Sequence, residues 1–204
     1  MSWSSSLTPR AGTGERLPLP KEILRKRLQN EIAQVRRKMI HTIVVSDPTF
    51  SSFPVEIKVT LRGVPGPILR DGKVSHKFTH RFTMEITEDY PYHKPIIRWE
   101  TPSFHPNVML PEDGGYVCTR LLDEWDFNST LLTFFKGIES LLSNPNPSNP
   151  YGTDSCTRSA EYFNKHPYKP PEIVQSAKKA PRILASGGGA DVEDGPGAGG
   201  SGVP

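Results

Sequence analysis

Residues 105–125 read His105-Pro106-Asn107-Val108-Met109-Leu110-Pro111-Glu112-Asp113-Gly114-Gly115-Tyr116-Val117-Cys118-Thr119-Arg120-Leu121-Leu122-Asp123-Glu124-Trp125. This stretch divides the chain by its hydrophobic period. Before it, Val55, Ile57, Val59 and Leu61 alternate with polar residues, as do Phe78, His80, Phe82, Met84 and Ile86. Ile96-Ile97-Arg98-Trp99 forms a third apolar run. Period-2 patterning with short links predicts antiparallel strands with one wet face. After it, Leu131, Phe134, Phe135, Ile138, Leu141 and Leu142 recur at helical spacing. The order of helix, strands, active loop and helices makes an α+β fold.

Working outward, Arg70-Asp71-Gly72-Lys73 signals a tight hairpin turn. Gly63, Pro65, Gly66 and Pro67 are expected to break the strand before it. Asn128 or Ser129 is expected to cap the helix that follows. Asn144-Pro145-Asn146-Pro147-Ser148-Asn149-Pro150 ends that helix in a stiff loop, and a shorter helix is expected over residues 155–165. Upstream, Leu24, Leu28, Ile32, Val35 and Met39 predict a helix over residues 21–40, with Pro20 just before it. Its opposite face is basic. Residues 21–40 hold seven Lys or Arg against Glu22 and Glu31.

The 204 residues suit one domain with tails. Residues 1–20 read as a disordered N-terminal tail, 21–171 as the core domain, and 172–204 as a flexible glycine-rich tail. The last 18 residues alone contain eight glycines. A formal charge of +3 is too small for a nucleic-acid binder. No run of about 18 apolar residues spans a membrane, and the N-terminus lacks a secretory signal. Cys118 and Cys156 are the two cysteines. They form neither a disulfide framework nor a metal pattern, so the expected setting is reducing and cytoplasmic.

Cys118 is the residue with the most chemistry. A thiol with a pKa of about 8.5 is only a few per cent ionised at neutral pH, yet it is a strong nucleophile. A thioester forms easily and is easily attacked by an amine. An isolated cysteine is more often a small buried hydrophobe; Cys156 is read that way. His105 could be the base of a protease-like dyad. Asn107 could donate to an oxyanion beside the sulfur, or hold loop geometry. No glycine-rich phosphate loop, paired metal ligands or Ser-His-Asp order is present.

Four segments in this order resemble the ubiquitin-conjugating enzymes. They are Tyr90-Pro91-Tyr92-His93-Lys94-Pro95, His105-Pro106-Asn107, Cys118 with Trp125 downstream, and Leu141-Leu142-Ser143-Asn144-Pro145-Asn146-Pro147. The resemblance covers roughly residues 21–171. It implies an N-terminal helix, a four-stranded antiparallel meander and C-terminal helices. It also implies that Cys118 accepts ubiquitin or a ubiquitin-like modifier from an activating enzyme and passes it to a substrate lysine, usually with a ligase. No cofactor is implied, ATP being used by the activating enzyme.

By the same resemblance Asn107 and Asn149 join Cys118 as catalytic residues. His105, Pro106 and Arg120 are structural in the active site. Lys26 and Arg27 match positions that meet the activating enzyme, and Tyr92 and Phe127 positions that meet a ligase. Three departures stand out. The loop from Asn107 to Cys118 is three residues longer than is commonest. Phe127 and Lys94 stand where prolines are usual. Asn149 stands where many members have an acid, and it can position an amine but not take its proton; Glu112, Asp113 or Asp123 is the expected substitute. If the segment is extended, Arg120 shares a face with Cys118 and favours the thiolate. The rival readings are a catalytically inactive scaffold of the ubiquitin pathway and a Cys/His thiol hydrolase.

Overall fold

A computed structural model describes residues 18–117 and 120–171. Helix α1 (Lys21–Lys38) leads into strands β1 (Thr42–Val45), β2 (Val55–Arg70), β3 (Lys73–Ile86) and β4 (Ile96–Trp99). A short 3-10 turn, Pro111–Asp113, precedes the helical turn α2 (Arg120–Asp123), then α3 (Leu131–Ser143) and α4 (Asp154–Lys165). The strands form one antiparallel sheet in chain order. The expected tails lie outside the described residues, apart from residues 18–20.

The alternation sets the inner face. Val55, Ile57, Val59 and Leu61 are buried on β2, Phe82, Met84 and Ile86 on β3, and Ile97 and Trp99 on β4. Helix α3 covers this face with Leu131, Phe134, Phe135, Ile138 and Leu142, and α1 adds Leu24, Leu28, Ile32 and Val35. Each such side chain contributes roughly 1.5–3 kcal/mol of transfer free energy. Leu141, expected in the stripe, is only partly buried.

Several expectations change. Helix α1 stops at Lys38 rather than at residue 40. The cap of α3 is Thr130, whose hydroxyl accepts from the Thr133 N–H, rather than Asn128 or Ser129. Strand β1, short and without a clear period, has no counterpart in the sequence reading. The Gly63–Pro67 region does not end its strand. β2 runs through it, with the register slipping between Arg62 and Gly66. A bulge absorbs the extra residues and accommodates prolines that cannot donate to a ladder. A Cβ on Gly66 would lie 2.7 Å from Cε1 of the fully buried His80, so glycine is required there. Phe78 lies opposite this bulge, between the Arg62–Thr79 and Gly66–Lys77 pairs, and is 41% exposed despite its place in the alternation. At the hairpin tip Asp71 and Gly72 both have positive φ, as a two-residue primed turn demands.

Candidate active site

The turn at His105 is closed from within. Its imidazole Nδ1 accepts the Asn107 backbone N–H at 3.0 Å, and its Nε2 donates to the Leu141 carbonyl at 3.0 Å. Both ring nitrogens are thus used, and the side chain is buried. Burial pushes its pKa down to about 4. A neutral imidazole with no free nitrogen cannot serve as the base of a hydrolase dyad. The Pro106 carbonyl accepts the Tyr151 N–H at 2.8 Å, joining the turn to the chain beyond the Asn-Pro loop.

Asn107 continues the same connection. Its Nδ2 donates to the Asn149 carbonyl at 2.9 Å, and its Oδ1 accepts the Asn146 N–H at 3.0 Å. The side chain is 4% exposed. Asn149 therefore meets Asn107 through its backbone, while the residue itself is exposed. Asn146 was not singled out in the sequence, because a backbone N–H carries no sequence signal.

The lengthened loop is ordered by its own backbone. The Leu110 carbonyl accepts from Asp113 and Gly115, and the Gly115 carbonyl accepts the Trp99 N–H at 2.7 Å. At Gly115, with φ of +64°, a Cβ would meet the Trp99 backbone at 2.4 Å, so this glycine lets the loop lie against β4. Val117 pairs with Val108, one residue before Cys118. Cys118 itself lies outside the described residues. Arg120 opens a helical turn rather than continuing an extended segment. The extended backbone that the expected shared face required is not the conformation of Arg120.

The candidate acids are dispersed. Glu112 is exposed, Asp113 accepts from the Ser155 hydroxyl at 2.9 Å, and Asp123 lies 3.7 Å from the Lys94 ammonium. Cys156 is buried against this scaffold, its thiol 3.6 Å from the Val108 carbonyl, and burial pushes its pKa up. Among the described residues no group of three or more His, Cys, Asp or Glu could hold a metal ion, and no helix is long and apolar enough to cross a membrane.

At the other end of α3, Trp125 donates to the Pro91 carbonyl at 2.9 Å and its ring packs near Tyr90 and Phe134. Tyr92 and Phe127 pair at the surface with ring centroids 5.4 Å apart. Glu31 is buried between Tyr90 and the start of α3. Its carboxylate accepts from the Tyr90 hydroxyl at 2.6 Å, the Leu131 N–H at 2.8 Å and Arg27 Nε at 2.8 Å. The sequence offered a signal for it in the four-residue spacing of Arg27 and Glu31. Lys26 is exposed, whereas Arg27 is turned inward.

The family model for ubiquitin-conjugating enzymes matches residues 27–170. The chain belongs to the ubiquitin-conjugating enzyme family. The family's fold is the α+β order described above. The ubiquitin-conjugating enzyme E2 3 of Arabidopsis thaliana is 31% identical over 99 residues, which are 48% of this chain and 65% of that relative. The sumo-conjugating enzyme ubc9 of Dictyostelium discoideum is 32% identical over 127 residues, 61% of this chain and 76% of that one. Among solved structures, S. cerevisiae Ubc12 superposes with a TM-score of 0.54 at 21% identity, covering 69% of this chain and 71% of that one. The chain thus spans just under two thirds of the length of the Arabidopsis relative.

Proposed function

We propose that this chain is an active conjugating enzyme, which accepts ubiquitin or a ubiquitin-like modifier on Cys118 and transfers it to lysine amines. The observation that carries this reading is the Asn107 amide, held between Asn146 and Asn149 on a turn whose histidine is buried and neutral. Charging exchanges one thioester for another: the Cys118 sulfur attacks the modifier's C-terminal carbonyl, and the activating enzyme's thiol leaves with the proton. Discharge forms an amide to lysine and releases the Cys118 thiol. Asn107 braces the 144–150 loop, and its remaining Nδ2 proton is the donor for the oxyanion. His105 and Pro106 hold the turn. Arg120 sets the start of the helical turn after the nucleophile.

A lysine with pKa near 10.4 must lose a proton before it attacks. Asn149 orients it, and Glu112, Asp113 or Asp123 receives the proton. Equal discharge rates in the three single alanine variants and the triple would refute that assignment. Lys26 meets the activating enzyme, and Tyr92 and Phe127 meet the ligase. A chain with only two cysteines, too few for a disulfide framework, fits a cytoplasmic, reducing location.

The test is incubation with an activating enzyme, ATP and a modifier, followed by a non-reducing gel. A reducible adduct that Cys118→Ala abolishes is expected. No adduct with any modifier would favour a binding scaffold.

A further inference from the structure

The two basic residues that the family pattern pairs on α1 have different surroundings. Lys26 is exposed. The Arg27 side chain is 19% exposed, and two of its three guanidinium nitrogens bond its own chain. Nε donates to Glu31, while one terminal nitrogen donates to the Phe127 carbonyl at 2.8 Å and the Ser129 carbonyl at 2.9 Å. The same group sits 5.0 Å from the Phe127 ring centroid and 5.5 Å from that of Tyr90.

These contacts converge on one loop. Residues 126–130 otherwise rest on local bonds, from the Asn128 and Ser129 N–H groups to the Asp126 carboxylate. Arg27 fixes the loop to α1 at two carbonyls, and Glu31 fixes the first amide of α3 beside it. Bonds from an ionised donor are shorter and stronger than neutral ones. The ring that this loop carries, Phe127, is 41% exposed and pairs with Tyr92.

We propose that Arg27 is a positioning residue for the Tyr92–Phe127 surface, not a contact for the activating enzyme. The proposal rests on the conjugating-enzyme reading for the use of that surface. A planar fork can reach Glu31 and two carbonyls while lying against two rings. A lysine, a compact charge without the fork, cannot. Charge alone would serve an activating enzyme equally well from either residue type, so the conservative variant separates the two roles.

Arg27→Lys and Lys26→Ala are compared in two measurements. Amide exchange by NMR follows residues 126–131 against residues 55–61 of the sheet. Charging is measured at varied activating-enzyme concentration, with ubiquitin and with SUMO, each with its own activating enzyme. Arg27→Lys should speed exchange at Ser129 and Leu131 by about tenfold or more, as lost local bonds open the loop, and weaken the contact between the Tyr92 and Phe127 rings. Lys26→Ala should do neither, but should raise the activating-enzyme KM more than Arg27→Lys does, with kcat little moved. Unchanged exchange in Arg27→Lys overturns the proposal. So does a KM increase in Arg27→Ala, which removes the charge, that matches the increase in Lys26→Ala. A wild-type chain that neither modifier charges would count against the conjugating-enzyme reading, and the exchange measurement would still decide for or against Arg27.

Discussion

The turn at residues 105–107 and the loop at residues 126–130 are built in the same way and used differently. In each, one side chain from another part of the fold, or facing it, satisfies backbone groups of a loop. At the first, His105 reaches Leu141 and Asn107 reaches Asn146 and Asn149, and all three residues of the turn are buried. At the second, Arg27 and Glu31 hold the loop from beneath, and the aromatic ring above it stays exposed. The first arrangement fixes the 144–150 loop against a buried turn. The second presents a surface. The comparison shows that polar side chains here work mainly by fixing backbone, and that only the second region leaves an aromatic ring exposed.

The most severe way to break the first region is Asn107→Ala. It leaves the Asn146 N–H and the Asn149 carbonyl without their partner and removes the proposed oxyanion donor. Lysine discharge should fall about 10²-fold or more, as when one oxyanion donor is lost, and stability by about 1–3 kcal/mol. Single-turnover discharge and denaturant melts measure the two effects. A stability loss with discharge intact would leave Asn107 as a brace alone.

The next effect comes from His105. Its folded pKa of about 4 lies below the unfolded value of about 6.5, so the unfolded chain binds more protons between them. Its contribution is complete above pH 6.5 and is lost as pH falls to 4, about 3 kcal/mol in all. His41 and His80 are also lowered by burial and act with the same sign. His105→Gln, which cannot take that proton, should be less stable at pH 7 but show a shallower decline with acid. An equally steep decline would contradict the buried neutral histidine. The smallest effect is Cys156→Ser, which places a hydroxyl in the thiol's buried site. It should cost about 1–2 kcal/mol, read by a thermal melt, and leave the adduct in place. Loss of the adduct in this variant would move the carrier role away from Cys118.

Much of this was legible in the sequence because periodicity records burial. The alternation of Val55, Ile57, Val59 and Leu61, and the helical stripe from Leu131 to Leu142, each encode which face meets the core. The Asp71-Gly72 turn was legible because its backbone conformation selects its residues. Strand β1 was not legible, since four residues carry too little pattern. The continuation of β2 through Gly63 and Pro67 was hidden because glycine and proline mark a bulge and a break alike. At the site, the residues of His105-Pro106-Asn107 were visible but their partners were not. Those partners are the carbonyls of Leu141 and Asn149, which any residue could supply, and the N–H of Asn146, which any residue but proline could supply. The inward turn of Arg27 was likewise invisible, since a basic residue on a helix reads the same whether it faces solvent or its own chain.

Thioester formation on Cys118 is the central proposal, and intact mass measurement of the charged protein tests it most directly. After incubation with an activating enzyme, ATP and the modifier, the chain should gain the mass of one modifier less one water. The added mass should be released by a small thiol. Cys118→Ser should carry the same mass as an ester that thiol leaves in place. A chain that stays at its own mass with every modifier, or an adduct that persists in Cys118→Ala, would contradict the account.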